Sequence, residues 1–223
     1  MYFCYIFALL GISRMKIDHL ILGAFETNCF VLRGTDTAKD CLVIDTGLQA
    51  DRLVEFLKQH NLNPVAVVLT HGHPDHAAGV AALRKSFPDI KVCIHKLDAD
   101  MLTGKQSNFG LLMGVTSDTG PADVLLEEEG VIEHAGIKLH VLHTPGHTSG
   151  GICLYSEQEG IVFTDDTLFA DSVGRTDLGG NMAQLIKSIR EKLFTLPDDT
   201  KVYPGHGPTT TIAHEKQYNQ FLK

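Results

Sequence analysis

The chain has 223 residues, a formal net charge of −8 and 43% hydrophobic residues. This length suits one domain, and this apolar content is enough for a sizeable core. The negative charge and the lack of any Lys/Arg run argue against nucleic-acid binding, which needs a positively charged face. The five cysteines are scattered and form neither a CxxC zinc pattern nor a secreted disulfide framework. We therefore expect reduced thiols in a cytoplasmic protein.

The first 14 residues are apolar over about ten positions, which is too short a run to span a bilayer. They also lack the positive start of a secretory signal. We expect residues 1–14 to be a dispensable extension, residues 15–223 to form a single domain, and the protein to have no membrane partner.

Apolar periodicity predicts the remaining elements in chain order. The helix at 50–60, for example, places Leu53, Phe56 and Leu57 on one face. Residues 103–121 are Gly-rich and aperiodic, which is typical of a loop near a site. Predicted strands cover residues 17–22, 28–32, 41–45, 65–69, 91–95, 136–142, 151–155, 160–163 and 201–203, with a turn at 133–136. Predicted helices cover residues 50–60, 75–87, 96–102, 182–193 and 210–221. This order favours two sheets with helices on their outer faces over an alternating βαβ array.

One run carries most of the chemistry. His71, His73, Asp75 and His76 follow the strand at 65–69 directly, in a turn that contains Gly and Pro. Imidazole and carboxylate groups bind zinc and related metals. A loop at the end of a buried strand is firmly anchored yet open to solvent, so this run predicts a metal site.

Further ligand types return at three later strand ends. His147 lies in Thr-Pro-Gly-His-Thr after the strand at 136–142, and His206 lies in Pro-Gly-His-Gly after the strand at 201–203. Asp165 and Asp166 follow the strand at 160–163. Four strand ends of this kind indicate one shared site rather than four coincidences.

These motifs resemble the metallo-β-lactamase superfamily over residues 15–210. Within it, the loop at 172–180 resembles that of the small bacterial glyoxalase II-like members and also that of the persulfide dioxygenases. The resemblance implies an α/β (α+β) fold, a four-layer αβ/βα sandwich. It also implies two zinc ions, although His and Asp donors suit iron and manganese as well. The first ion would be held by His71, His73 and His147. The second would be held by Asp75, His76 and His206, with Asp166 bridging the two.

The same resemblance leaves one ligand open. Relatives often have Gly before the bridging Asp, whereas Asp165 precedes Asp166 here. We favour Asp166 as the bridge because Thr167-Leu168-Phe169 follows it as in the family, and Asp165 is the alternative. Asp75 would also orient the nucleophile, which makes it the expected catalytic residue. We further expect Asp45 to bond to the loop of the histidine cluster.

This resemblance implies a dinuclear zinc thioesterase, in which a metal-bridging hydroxide would cleave S-lactoylglutathione-like thioesters. A mononuclear iron persulfide dioxygenase is the alternative, and a lactonase or β-lactamase is a weaker one. A purely structural zinc domain is disfavoured because such sites are usually closed and Cys-rich. Glyoxalase II binds the glutathione carboxylates with basic residues of a C-terminal helical domain. In this sequence the only cations after His206 are Lys216 and Lys223. The acyl group and the oligomeric state are left open.

Arg175 is the sole cation of the loop 171–180. It either binds substrate or forms a buried structural pair with Asp177 or Asp171, and the sequence does not separate these two roles.

Overall fold

The computed structural model describes residues 15–104 and 119–223. The predicted extension at 1–14 and most of the predicted loop at 103–121 lie outside these residues. The single domain predicted for 15–223 stays a prediction.

The first half of the chain forms a six-stranded sheet whose strands follow one another in sequence order. The first three strands are antiparallel, and the last four run parallel to one another. The strands are β1 (Lys16–Leu22), β2 (Thr27–Arg33), β3 (Asp40–Ile44), β4 (Asn63–Val68), β5 (Lys91–His95) and β6 (Val124–Leu126). Parallel pairing brings the carboxyl ends of β3, β4 and β5 to one edge of the sheet.

The second half forms another six-stranded sheet, ordered β14-β13-β10-β9-β8-β7, and a small separate hairpin of β11 and β12. Only β10 and β13 pair in parallel, so their carboxyl ends also lie side by side. The strands are β7 (Val131–His134), β8 (Ile137–His143), β9 (Ile152–Ser156), β10 (Ile161–Asp165), β11 (Leu168–Phe169), β12 (Ser172–Val173), β13 (Lys201–Pro204) and β14 (Thr210–Thr211).

Among the residues that the structure describes, five α-helices accompany the sheets: α1 (Ala50–Gln59), α2 (Pro74–Ala77), α3 (Val80–Ser86), α4 (Met182–Ser188) and α5 (Ile212–Tyr218). Short 3₁₀ turns cover Ala99–Thr103 and Gln220–Leu222, and a π-helical turn, Ile189–Leu193, continues α4. In the described part of the chain no helix has both the length and the apolar character needed to cross a bilayer.

The single helix predicted at 75–87 is wrong, because the chain breaks it between α2 and α3. The backbone N–H of Gly79 donates to Thr46 Oγ1 at 3.0 Å, and a Cβ at Gly79 would lie 2.7 Å from Thr46 Cβ. This close approach of β3 and the helix start needs a glycine and interrupts the regular helix.

The turn predicted at 133–136 is also too long. Glu133 and His134 belong to β7, and only Ala135 and Gly136 make the turn. Both residues have positive φ angles, 53° and 73°, as in a tight two-residue hairpin turn.

Successive side chains of each strand pack into different core layers, one on each face of the sheet. In β3, Leu42 and Ile44 face the other sheet, whereas Cys41 and Val43 face α1 and α3. The second sheet does the same, with Phe163 turned inward and Val162 turned to α4 and α5. Successive side chains of a strand point to opposite faces, so each sheet has one core on each face. The predicted four-layer αβ/βα sandwich is confirmed.

Candidate metal centre

The predicted ligand residues converge at one end of the sandwich. The loop after β4 carries His71 and His73 into α2, which holds Asp75 and His76 and starts with Pro74. Proline suits the first turn of a helix because no intrahelical bond is lost there. From the second sheet, Asp165 at the end of β10 lies opposite Pro204 of β13, which places Asp166 and His206 side by side.

Three histidine nitrogens form the first group. His71 Nε2 lies 2.9 Å from His73 Nδ1, which lies 2.9 Å from His147 Nε2, and His147 Nε2 lies 3.3 Å from His71 Nε2. A tetrahedral zinc with bonds of about 2.0–2.1 Å separates its nitrogen ligands by about 3.3–3.4 Å. All three side chains are buried. Their geometry is therefore close to that of a three-histidine metal site.

Asp75, His76 and His206 form the second group. His76 Nε2 lies 3.2 Å from His206 Nε2, and Asp75 Oδ2 lies 3.6 Å from each of these nitrogens. These three donors come from one helix and from the loop after β13, so only the packing of the two sheets brings them together.

Asp166 lies between the two groups. Its Oδ1 is 3.6 Å from the Nε2 atoms of His76 and His206, whereas its Oδ2 is 3.5 Å from His147 Nε2. Its buried Oδ1 has no hydrogen-bond partner. An unpartnered buried carboxylate oxygen is costly unless a cation is near. The donor set and this oxygen together fit a pair of metal ions that share Asp166.

Asp165 lies on the other side of the imidazole rings. Its Oδ2 accepts a hydrogen bond from His71 Nδ1 at 2.6 Å, and its Oδ1 lies 3.1 Å from His76 Nδ1. Asp165 thus faces the nitrogens that point away from the two groups. This geometry favours Asp166 over Asp165 as the bridge.

The expected bond from Asp45 to the cluster loop is confirmed. Asp45 Oδ1 accepts from the Thr70 backbone N–H at 3.0 Å, and its Oδ2 accepts from Thr70 Oγ1 at 2.8 Å. The same Oδ2 lies 3.1 Å from His76 Nδ1. Asp45 therefore orients one ligand candidate and anchors the loop of the others.

Main-chain carbonyls orient two further rings. His147 Nδ1 donates to the Arg175 carbonyl at 2.7 Å, and His206 Nδ1 donates to the Phe25 carbonyl at 2.8 Å. The side chain of Arg175 is exposed and makes a two-point contact with Asp177, at 2.7 and 2.6 Å. The pairing of Arg175 with Asp177 is thus observed, but the predicted burial of this pair is wrong because both side chains are exposed. The substrate role of Arg175 stays a prediction.

Burial and nearby charges shift the pKa values of the candidate ligands, upwards for His71 and downwards for His73 and Asp75. Burial acts to lower the pKa of His71, but the Asp165 carboxylate outweighs it and raises this pKa to about 9. Burial, together with the neighbouring His71 and His147, lowers the pKa of His73 to about 2. Burial acts to raise the pKa of Asp75, but His206, 3.6 Å away, and the other nearby imidazoles hold it below the usual range. Neutral His73 and ionised Asp75 are the forms that bind metal.

Comparison with known proteins identifies the family. A sequence model of the metallo-β-lactamase superfamily matches residues 22–206, which contain all seven predicted ligands. The chain belongs to the metallo-β-lactamase superfamily.

Curated relatives within this superfamily match the chain over most of its length. The probable metallo-hydrolase YqgX of Bacillus subtilis is 36% identical over 210 residues, covering 93% of this chain and 98% of that protein. The hydroxyacylglutathione hydrolase GloC of Haemophilus influenzae is 35% identical over 213 residues, with coverage of 93% and 98%.

Solved structures of the superfamily superpose closely. The BLEG-1 B3 metallo-β-lactamase has a TM-score of 0.86 at 38% identity, over 93% of this chain and 100% of that one. TTHA1623, solved in a di-iron-bound form, has a TM-score of 0.80 at 34% identity, over 92% and 100%. The predicted fold and the glyoxalase II-like relationship are confirmed.

The motifs did not show which groups would hold the ligand rings in place. The Arg175 and Phe25 carbonyls are main-chain atoms, and every residue type supplies one. Asp165 was visible in the sequence, but only as an alternative bridge. Its sequence signal was an acidic residue next to Asp166 where relatives often have Gly.

Proposed function

We propose that this protein is a dinuclear metal-dependent thioesterase that hydrolyses hydroxyacyl thioesters of the S-lactoylglutathione class. The observation that carries the proposal is the pair of three-donor groups joined by Asp166. His71, His73 and His147 hold one ion in this proposal, and Asp75, His76 and His206 hold the other. Zinc is the proposed metal, and iron or manganese also suit this donor set.

Two bound ions supply an activated water near neutral pH and an electrophile for the carbonyl oxygen of the substrate. The protein side chains prepare this chemistry. Asp165 and Asp45 accept from the Nδ1–H groups of His71 and His76, so the Nε2 atoms are the ones turned towards the metals. Asp75, ionised and partly enclosed, accepts a hydrogen bond from the attacking water and fixes its direction.

The net reaction consumes one water. A carbon–oxygen bond forms at the thioester carbonyl, the carbon–sulfur bond breaks, and the thiolate takes up a proton. No serine or cysteine nucleophile is required. In agreement, the described cysteines are buried, and burial raises the pKa of Cys41 and Cys153 to about 12. The GloC relative, a hydroxyacylglutathione hydrolase by name, supports the substrate class.

Arg175 is the proposed substrate contact. Its backbone carbonyl accepts from His147 Nδ1, so position 175 adjoins the first group, and its guanidinium is exposed. Replacing Asp177 by Asn removes the paired charge and leaves Arg175 free for a substrate carboxylate. If Arg175 binds substrate, Arg175→Ala raises KM for S-lactoylglutathione with little change in kcat, whereas Asp177→Asn lowers KM.

The test is thiol release from S-lactoylglutathione by protein of measured metal content. Turnover that disappears after chelation and returns with zinc supports the proposal. His73→Ala, which removes a proposed ligand, should lose turnover, whereas the exposed substitution His134→Ala should keep it. Lack of turnover with S-lactoylglutathione and with simple acyl thioesters would reject the thioesterase.

A mononuclear iron persulfide dioxygenase is less compatible with the site, because the second donor group is as complete as the first. Oxygen consumption with glutathione persulfide, together with one iron per chain, would establish this alternative instead.

β-Lactam hydrolysis is a second candidate, favoured by the BLEG-1 B3 metallo-β-lactamase at 38% identity over the whole of that chain. The same activated water can attack a lactam carbonyl. A chromogenic cephalosporin, assayed on the same preparation, measures this activity. A kcat/KM above that for S-lactoylglutathione would make β-lactams the preferred class, and lactones belong in the same substrate panel.

A further inference from the structure

Asp98 is a buried acid outside the two donor groups. Only 1% of its surface is exposed, and it directly precedes the 3₁₀ turn at Ala99–Thr103. Aspartate in this position commonly caps the start of a helix, yet the Asp98 side chain makes no capping hydrogen bond. The Asp98 carboxylate therefore forms its hydrogen bonds outside this turn.

Both oxygens of Asp98 accept backbone N–H groups from other loops. Oδ1 accepts from Gly150 at 2.7 Å, and Oδ2 accepts from Gly72 at 3.2 Å. A carboxylate that accepts backbone N–H groups makes strong, charge-assisted hydrogen bonds. Asp98 therefore joins two segments that lie 78 positions apart in the sequence.

These two segments carry the whole first donor group. Gly72 stands between His71 and His73, whose nitrogens lie 2.9 Å apart. Gly150 ends the short turn that begins with Gly146 and His147, which is closed by a Gly146 N–H to Thr148 carbonyl bond of 3.0 Å. The Asp98 carboxylate thus links the His71–His73 loop to the His147 loop, beside a main-chain bond from the Ile152 N–H to the Thr70 carbonyl at 3.0 Å.

The second donor group is anchored by other contacts. The His76 carbonyl accepts from the Thr46 backbone and hydroxyl at 2.8 and 2.7 Å. The loop of His206 is held by Asn28, whose Nδ2 donates to the carbonyls of Pro204 and Gly207 at 2.9 and 3.0 Å. Asp98 takes part in none of these bonds.

We propose that Asp98 is the positioning residue of the first metal group, acting through the Gly72 and Gly150 backbones and not on the second group. The inference rests on the proposed metal ligation. It goes further by assigning the geometry of one ion's site to a residue whose carboxylate bonds to the Gly72 and Gly150 backbones and not to a ligand side chain.

Glycine at position 150 is part of the same arrangement. A Cβ there would lie 2.7 Å from Asp98 Oδ1 and from the Asp98 backbone nitrogen. Gly150→Ala therefore disturbs the same contact from the opposite side. It provides a second variant that leaves the Asp98 carboxylate in place.

The experiment is a stepwise titration of metal-free protein with Co²⁺, followed by visible absorption, with zinc competition against a chromophoric chelator. Asp98→Asn keeps the size of the side chain but turns an NH₂ group towards one of the two backbone N–H donors. We expect one of the two binding steps to weaken by roughly 10–100-fold, as for other residues that orient ligands, while the other step is unchanged. Gly150→Ala should weaken the same step, and the exposed control Asp100→Asn should weaken neither.

The weakened step is assigned with His73→Ala and His206→Ala, each of which removes one donor group. The inference is overturned if Asp98→Asn leaves both steps as in the wild type, weakens both equally, or weakens the step that is lost in His206→Ala. If Asp98→Asn does not fold, Gly150→Ala applies the same three criteria. Failure of the wild type to bind two ions would instead reject the proposed dinuclear site.

Discussion

Asp165 Oδ2 lies 2.6 Å from Nδ1 of His71, in a hydrogen bond between two buried side chains 94 positions apart. The backbone of Asp165 has a φ angle of 47°, in the left-handed region that glycine adopts most readily and that Asp adopts less readily. The position thus carries an acid where glycine is easier to accommodate, and the carboxylate reaches ligand rings of both donor groups.

We predict that Asp165→Gly weakens metal binding at the first group by roughly 10–100-fold, because His71 loses the acceptor of its Nδ1–H. The effect at the second group should be smaller, because Asp45 still accepts from His76 Nδ1. The measurement is zinc competition with a chelator. Asn61→Gly is the matched control, since Asn61 has a φ angle of 53° and is exposed. Unchanged affinity in Asp165→Gly would show that Asp45 and the bound metals orient the rings without Asp165.

Removing one ligand should empty one group only. His76→Ala is expected to leave His71, His73 and His147 able to bind, so the metal content falls from two ions per chain to one. His206→Ala should give the same result with less disturbance, because His206 is partly exposed. Elemental analysis after dialysis measures both variants. Loss of all metal, or of none, contradicts the proposed division of ligands.

Metal binding should release protons. The pKa of His71 is about 9 in the metal-free protein because of Asp165, although burial opposes this effect. His71 is therefore protonated at pH 7, and its Nε2 must lose a proton to become a ligand. The metal binds the deprotonated form, so the metal affinity increases as the pH rises towards about 9. Below pH 9 each proton that must be released lowers the affinity by up to about tenfold per pH unit.

Calorimetry in two buffers of different ionisation enthalpy counts the protons released at pH 7. We expect fewer protons from Asp165→Gly, because the pKa of His71 then falls. An identical count in the wild type and the variant would contradict the assignment of the raised pKa to Asp165.

The face-to-face packing of the sheets should be sensitive to Phe163. Its ring is 1% exposed and lies 5.1 Å from Phe30 and 5.3 Å from Tyr203, centroid to centroid. We predict that Phe163→Ala lowers the free energy of unfolding by about 3–5 kcal/mol, the usual cost of such a cavity. Urea denaturation of metal-free protein measures it. Phe221→Ala, at a ring that is 52% exposed, should cost far less.

Local sequence was sufficient to predict the ligand types and most of the elements. The spacing of His71, His73, Asp75 and His76 is a short-range pattern, and it survives folding because one loop and one helical turn hold all four residues. The sequence did not predict the close contact between the Gly79 backbone and Thr46. Thr46 against Gly79 split a helix that periodicity alone predicted as continuous.

The sequence by itself determined which residues could bind metal and that they follow strand ends. Only the tertiary structure decided which atoms face one another. His73 presents Nδ1 and His71 presents Nε2, Asp166 lies between the groups while Asp165 lies behind the rings, and Asp98 holds two loops together. These choices depend on the pairing of β10 with β13 and on hydrogen bonds across the two sheets. Such contacts join residues that are dozens of positions apart, and no local pattern records them.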